Sequence, residues 1–428
     1  MKEKVNIGLL GLGTVGSGVA EVLDVNGAHI AERAGIPLVV KKALVRDLNR
    51  PRTVSICPPL TTDPSDILAD PEIDVVVEVL GGEEPALTYI LAAMRNGKHV
   101  VTANKELLAK HGKELFAAAK ENQVDLYFEA SVGGGIPIIR PLKDCLAGNR
   151  IDKVYGIVNG TTNYILTQMA SGKSYDDALK QAQKEGYAEA DPYADVSGVD
   201  AARKIAILAS IAFGARVTEK DVSRIGIECL SPLDLEYARE LGYKVKLLAC
   251  AQEIDGALAV RVHPALLPTH HPLASVDGVL NAIVVRGDAV GEVMFHGFGA
   301  GRLPTASAVV GDLIEVARNI KEGVRGRSKC TCFHQKPFYP ASEMVTRYFL
   351  RLELADQPGV LAKVAAAFGR EKVSLAAVIQ KRLTERGAEV VLVTHPAEER
   401  RFLSAVTTLT TYPETLAVHQ PIAVEGDA

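Results

Sequence analysis

The chain predicts an α/β protein in three parts: a doubly wound parallel-sheet domain, an α+β middle domain and a small ferredoxin-like domain at the C-terminus. Three observations carry this. Strand-like and helix-like runs alternate from Val5 to Ala130, the pattern of parallel strands joined by crossover helices. A glycine-rich turn, Gly11-Leu12-Gly13-Thr14-Val15-Gly16, joins the first strand to its helix. After residue 345 the runs follow the order β-α-β-β-α-β. The boundaries read as residues 1–130, 131–320, a linker at 321–345, and 346–428.

Length and composition bound the function before any motif does. A chain of 428 residues holds two or three domains with cores of their own. Its net charge of -4 offers no clustered basic face, so nucleic acid is not an expected partner. No apolar run reaches membrane-span length and the N-terminus lacks a signal-peptide pattern, which implies no membrane and a cytoplasmic protein. The scattered Cys57, Cys145, Cys229 and Cys250 read as buried thiols in a reducing compartment. Cys330-Thr331-Cys332 with His334 is the one cluster. No second ligand pair follows it, so it reads as a linker with two cysteines rather than a metal site.

In the first part, Val5–Leu10 is apolar and ends in the glycine turn, and Val15, Val19, Val22 and Leu23 then recur at helical spacing. The first glycine makes the turn, the second lets the backbone approach a pyrophosphate, and the third packs helix on strand. The helix start adds free N–H groups and a positive dipole end. This is a Rossmann-type dinucleotide site carried by Gly11, Leu12, Gly13, Thr14, Val15 and Gly16. Strands are expected at 38–45, 74–80, 99–102 and 124–130, with helices at 84–96 and 104–121. Ligands of such sheets sit at the carboxyl strand ends, here Arg46, Leu80-Gly81-Gly82 and Thr102-Ala103-Asn104-Lys105. The second strand carries Lys41 and Lys42 and ends at Arg46, basic groups that favour the 2′-phosphate of NADP, with NAD as the alternative. Lys105 lies in the first turn of a helix, where a cation opposes the dipole, and this marks it as functional.

The middle part opens with the glycine-rich bend Glu129-Ala130-Ser131-Val132-Gly133-Gly134-Gly135-Ile136-Pro137. Its densest chemistry is Glu185–Lys204, five carboxylates in a loop broken by Pro192 and Gly198, then a helix with Asp200 and Lys204 four apart. On the residues alone this reads equally as a solvated acidic loop with a surface ion pair, or as an ammonium clamp beside a lysine acid. A second glycine-rich loop, 297–305, precedes a helix expected at 306–319.

Taken in order, Gly11–Gly16, Thr102–Lys105, Glu129–Pro137, Gly186–Lys204 and Gly299-Ala300-Gly301 with Pro304-Thr305 resemble the homoserine dehydrogenases across the whole chain. The resemblance implies NAD(P)-dependent interconversion of L-homoserine and L-aspartate 4-semialdehyde. By that analogy Lys204 is the proton donor, Lys105 touches cofactor and substrate, and Glu189, Asp195 and Asp200 hold the substrate. Gly186 and Gly301 line the cofactor. A sodium ion is implied at Val132, Gly134 and Ile136 together with Glu129, and a homodimer or homotetramer is expected. Ala188 and Ala190 stand where many relatives carry larger or stiffer residues, which leaves the essential side chains untouched. Glu185 and Asp191 read as solvated bystanders.

At the C-terminus Tyr348, Leu350, Leu352 and Leu354 alternate with Phe349, Arg351 and Glu353, a strand. The turn Asp356-Gln357-Pro358-Gly359-Val360-Leu361 resembles an ACT domain. Because homoserine feeds threonine synthesis, L-threonine is the implied effector. Two rival readings are an ACT-bearing 2-hydroxyacid dehydrogenase and a non-catalytic amino-acid sensor. The first needs a histidine base and a substrate arginine in a context the histidines here lack. The second would be expected to lose Lys105 or Lys204, and both are present.

Overall fold

A computed structural model describes residues 2–50, 58–383 and 387–426; Cys57 lies outside them. The chain divides into two units, each discontinuous in sequence. The first holds Met1–Val154, Arg203–Lys220 and Asn281–Gln335, the second Tyr155–Ala202, Asp221–Leu280 and Lys336–Ala428.

The N-terminal alternation is real. It runs β1 (Val5–Leu10), α1 (Thr14–Val25), α2 (Gly27–Ala34), β2 (Leu38–Leu44), β3 (Leu60–Thr61), α3 (Ser65–Leu68) and β4 (Val75–Glu78). It continues with α4 (Ala86–Arg95), β5 (His99–Thr102), α5 (Lys105–Glu121) and β6 (Leu126–Tyr127). The six strands form one parallel sheet in the order β3-β2-β1-β4-β5-β6. The order reverses beside β1, so a crevice opens past the carboxyl ends of β1 and β4. The strand expected at 124–130 shortens to β6, because Glu129–Ser131 turns into a 3-10 helix.

From the middle of the chain come β7 (Ile151–Ile157), α6 (Gly160–Ala170), α7 (Tyr175–Lys184), α8 (Tyr193–Val196), α9 (Val199–Ala212) and β8 (Ser223–Arg224). After these follow α10 (Pro232–Glu240), β9 (Tyr243–Ile254), β10 (Ala257–Pro268), β11 (Leu280–Gly287), β12 (Gly291–Phe298) and α11 (Arg302–Lys321). Helix α11 begins at Arg302 rather than at 306, directly after Gly301, and its apolar stripe Ala306, Val309, Val310, Leu313, Val316 and Ala317 joins the core of β1, β2, β4 and α1. A Cβ on Gly18 would stand 2.5 Å from the Arg302 carbonyl oxygen, so that glycine sets how closely α1 and α11 meet.

The last segment is β13 (Val345–Leu354), α12 (Val360–Arg370), β14 (Leu375–Leu383), β15 (Ala388–Thr394), β16 (Ala397–Glu398), α13 (Glu399–Thr410), β17 (Thr415–Val418) and β18 (Ile422–Val424). One face of β13, with Tyr348, Leu350, Leu352 and Leu354, packs on α12 and α13. The last strand of the β-α-β-β-α-β order divides at Gln420-Pro421, where proline removes a ladder donor. Strand β18 then pairs with β13 on one side and with β10 on the other, so the second unit contains a continuous run β9-β10-β18-β13-β15-β14. Among the described residues no helix is long and apolar enough to cross a membrane.

Candidate active site

In the first unit the glycine turn is built as a cradle. Gly11 has φ +103°, and a Cβ on Gly16 would fall 2.1 Å from the Gly11 carbonyl oxygen, so both positions need glycine. A Cβ on Gly13 would meet no protein atom within 4 Å. Its bareness therefore serves whatever lies outside the loop. Leu12 is buried beneath the turn, while Thr14 is exposed at the start of α1. That helix has neither a side-chain cap nor an acidic residue in its first turn, which leaves its leading N–H groups suited to a phosphate.

The crevice rim is braced from below. Thr102 is fully buried, and its hydroxyl donates to Glu78 Oε2 at 2.6 Å and accepts from Asn104 N–H at 3.0 Å. Glu78 Oε1 accepts from Leu80 and Gly81 N–H, at 2.8 and 3.3 Å. Asn104 caps α5 through Leu107 N–H and donates to the Gly82 carbonyl at 2.7 Å. The Thr102 side chain thus belongs to the scaffold. Burial raises the Glu78 carboxyl above its ordinary range, against the hydrogen bonds from Thr102, Leu80 and Gly81. Of the three basic groups on the second strand, Lys41 is held by Asp70 and Glu72, each at 2.6 Å, and Lys42 lies 3.5 Å from Asp66. Arg46 is the exposed one at the strand end.

Lys105 is the first residue of α5, capped by Asn104, and is half-buried. Lys204, on α9, is buried to 8 % exposure. Their sequence neighbours tie the two helices together. Arg203 Nη2 donates to Glu106 Oε1 at 2.9 Å, its Nε donates to Glu219 at 2.8 Å, and Lys110 also reaches Glu106 at 2.7 Å. Arg203 lies inside the carboxylate-rich run, yet its role is invisible there because both partners are distant in sequence.

The division between units falls within α9, after Ala202. On the other side of it, the second unit collects the carboxylates around Asn159. That residue caps α6, accepting from Thr162 N–H at 2.8 Å, while its Nδ2 donates to Asp195 Oδ1 at 2.7 Å and Asp200 Oδ2 at 2.9 Å. Asp200 is buried and Asp195 half-buried. Glu189 is exposed, as are Glu185 and Asp191. Gly186 is exposed with φ +78°, and Thr161 Oγ1 donates to the next carbonyl, Tyr187, at 2.7 Å. Four residues of the expected loop, Tyr193–Val196, form the helical turn α8 that carries Asp195. Asparagine ahead of a helix start is a readable cap signal; its second use, as the donor shared by two carboxylates, is not.

Back in the first unit, the two glycine-rich loops lie against each other. Gly135 N–H donates to the Phe298 carbonyl at 3.0 Å, and a Cβ on Gly134 would come within 2.5 Å of the Gly299 carbonyl oxygen. Gly301, φ +125°, then caps α11. Val132, Gly134 and Ile136 are buried in this bend. The Glu129 carboxylate accepts from Ile138, Ile139 and Arg140 N–H at 2.6, 2.8 and 2.8 Å. Among the described residues no group of three or more His, Cys, Asp or Glu side chains could hold a metal ion. The isolated cysteines are corrected in part: Cys250 is buried, whereas Cys145 and Cys229 are exposed.

Comparison with known proteins identifies the family. The family model described as homoserine dehydrogenase matches residues 137–314, and the one described as homoserine dehydrogenase, NAD binding domain, matches residues 11–129. The homoserine dehydrogenase of Bacillus subtilis is 44% identical over 99% of both chains. The chain belongs to the homoserine dehydrogenase family. It is accordingly an NAD(P)-dependent oxidoreductase. An ACT domain model also matches, over residues 348–413. A solved homoserine dehydrogenase from Thiobacillus denitrificans superimposes with a TM-score of 0.94 at 42% identity, covering 99% of this chain and 98% of that one. A hyperthermophilic archaeal homoserine dehydrogenase in complex with NADPH aligns at a TM-score of 0.62 and 30% identity, over 73% of this chain and 97% of its own.

Proposed function

We propose that the enzyme reduces L-aspartate 4-semialdehyde to L-homoserine, reversibly, in a cytoplasmic route to threonine, methionine and isoleucine. The observation that carries this reading is Asn159 holding Asp195 and Asp200 together in an enzyme whose α9 also bears the buried Lys204. A cluster of carboxylates suits the substrate's ammonium, and a buried lysine suits an oxygen that gains charge.

The glycine cradle at Gly11, Gly13 and Gly16 fits a dinucleotide: two glycines are required by the fold, and the third clears space outside it. When bound, the reduced nicotinamide supplies hydride to the aldehyde carbon. Lys204 gives a proton to the aldehyde oxygen as negative charge develops there, and Lys105 supports that charge. Glu189, Asp195 and Asp200 orient the ammonium, with Asp200 one turn before Lys204 on the same helix. Gly186 and Gly301 border the cofactor. Arg46 recognises a 2′-phosphate, which favours NADP; with Lys41 and Lys42 engaged by carboxylates, that preference rests on Arg46 alone. The NADPH held by the archaeal relative supports the same choice.

A sodium ion fits the bend at Val132, Gly134 and Ile136, because main-chain carbonyls are the oxygen donors an alkali cation takes. Three N–H groups already occupy the Glu129 carboxylate, so its share in that site is its own carbonyl. The ACT domain takes L-threonine as feedback inhibitor, and the enzyme assembles as a homodimer or homotetramer.

The test is oxidation of NADPH and NADH with aspartate semialdehyde, against a 2-oxo acid as control. Turnover is expected only with the semialdehyde. Lys204→Ala should lower kcat by about 10²–10⁴-fold, the usual weight of a general acid, with NADPH binding unchanged. Near-normal kcat in that variant would remove Lys204 from the mechanism.

A further inference from the structure

The segment after α11 turns back onto the first unit and builds a small site remote in sequence from the cofactor motifs. His334 N–H donates to the Gly214 carbonyl at 2.8 Å, and Phe333 N–H donates to the Thr331 carbonyl at 2.9 Å. The second bond makes a tight bend centred on Cys332, which brings the Cys330 and Cys332 side chains together. Arg216 Nη2 donates to the Cys330 sulfur at 3.3 Å. A Cβ on Gly112 would stand 2.8 Å from Arg216 Nη1, so α5 leaves room for the guanidinium at that glycine.

Cys330 and Cys332 line a cavity of about 30 Å³ together with Phe116, Phe128, Ile207, Lys143 and Lys329. Lys143 Nζ lies 5.5 Å from the Phe128 ring centre and donates to the Lys329 carbonyl at 3.3 Å. The charged and titratable groups facing Cys330 are therefore Cys332, Arg216, Lys143 and Lys329. The neighbouring Cys332, backed by the Arg216 cation, holds the Cys330 thiol well below its ordinary range, while the same pairing pushes Cys332 up. Cys330 is thus the half-buried thiol that gives up its proton first, and Cys332 the one that keeps it. That is the division of labour between an attacking and a resolving cysteine.

We propose that Cys330 and Cys332 form a hydroperoxide-reactive thiol pair that closes reversibly to a disulfide. The Cys330 thiolate attacks one peroxide oxygen; an S–O bond forms, the O–O bond breaks, and the departing hydroxide takes a proton to become water. Cys330 is then a sulfenic acid. The Cys332 sulfur attacks it, the S–S bond forms, the S–O bond breaks, and the leaving hydroxide carries off the thiol proton as a second water. Two thiols and one hydrogen peroxide give one disulfide and two waters. A dithiol reductant restores the pair and is itself oxidised. Residues i and i+2 have Cα atoms at most about 7 Å apart and closer in a bend, within reach of disulfide geometry.

The test uses the full-length protein and hydrogen peroxide. Peptide mass spectrometry is expected to show the peptide with Cys330 and Cys332 lighter by two hydrogens, and dithiothreitol should reverse this. With Cys332→Ser, Cys330 should instead be trapped by dimedone as its sulfenic acid. Between pH 7.5 and 5.5, iodoacetamide labelling of free N-acetylcysteine should fall about 100-fold, as for an ordinary thiol, and that of Cys330 by less than about threefold. Arg216→Met should steepen the Cys330 profile. Cys330 labelling that falls in parallel with N-acetylcysteine, or peroxide treatment that leaves the peptide mass unchanged, would overturn the proposal.

Discussion

Asn159 has two separable duties, and they predict opposite rankings of two substitutions. As a helix cap it supplies an acceptor to Thr162 N–H; as an amide donor it holds Asp195 and Asp200 within hydrogen-bond reach of one nitrogen. Asn159→Ala removes both, and the lost cap alone costs about 1 kcal/mol. Asn159→Asp keeps the acceptor but sets a third carboxylate against the other two. If gathering the carboxylates is the functional duty, the Asp variant has the lower kcat/KM for aspartate semialdehyde and the higher melting temperature. An Ala variant worse in both respects would reduce Asn159 to a cap. Glu78 gives a second residue-scale prediction, with a sign set by its burial. Its folded-state pKa is raised, so below the unfolded value, about 4.3, the proton is held in both states and burial carries no charge penalty. As pH climbs from there to the folded pKa, the unfolded chain ionises first and stability falls. Glu78→Gln, neutral throughout, should melt higher than the parent at pH 8 and lose that advantage near pH 4; a gain independent of pH would refute the titration. The helix positions of Asp200, Lys204 and Lys105 are legible in sequence, whereas the burial of Asp200 and Lys204 is not, since the same spacing suits a solvated ion pair. Asn159 is not, since an asparagine before a helix looks the same whether or not carboxylates lie beyond it.

Helices α5 and α9 are joined beside Lys105 and Lys204. Arg203 links Glu106 of α5 to Glu219, next to Lys105 and Lys204 in sequence, with side chains that keep 18–24% of their exposure. Pairs this open contribute on the order of 1 kcal/mol. Their weight is in positioning. Arg203→Met is expected to lower kcat roughly 10- to 100-fold, the scale of a 1 Å displacement of a reacting group, while thermal midpoints move by no more than a few degrees. Arg203→Lys should recover little, because one ammonium does not reproduce a fork that meets two carboxylates. An unchanged kcat in the methionine variant would leave the link with no part in catalysis. At this scale the sequence exposes periodic elements with clear ends, such as β5 and α5, and misses those whose partners are remote. The start of α11 is masked by Arg302-Leu303-Pro304, which reads as loop until its packing on α1 is known. Strands β11 and β12 are missed, because β12 alternates between exposed and half-buried positions rather than between core and solvent.

At the scale of the fold, the C-terminal ACT segment is part of a longer sheet within the second unit. The sequence marks it as a separate module, and its own α12/α13 core agrees with that. The opposite face of β13 does not. Arg351, which alternation assigns to an outer face, is 2 % exposed. Its Nε donates to Asp234 Oδ1 at 2.6 Å and its Nη2 to Ser231 Oγ at 2.9 Å, the two residues that form the capping box of α10. Glu389 stands 3.5 Å from Nη1 and accepts from Tyr237 Oη at 2.6 Å. Removing one member of a buried ion cluster leaves the others charged and unpaired, at a cost of about 3–5 kcal/mol. Arg351→Met should therefore damage α10 as well as the ACT fold, and deletion from Arg347 onward would do the same, so a truncation cannot isolate the ACT segment. The measurement is dehydrogenase activity remaining after heating, with L-threonine inhibition measured on the unheated enzyme. Inactivation at a lower temperature, with inhibition weakened, is the expected pair of results. If activity survives heating as in the parent, the ACT segment is an independent module and the shared sheet carries no coupling. The double variant Arg351→Met/Glu389→Leu separates the causes: lifting one stranded charge should restore part of the heat resistance, whereas a lost signal path through Arg351 would leave threonine inhibition weak.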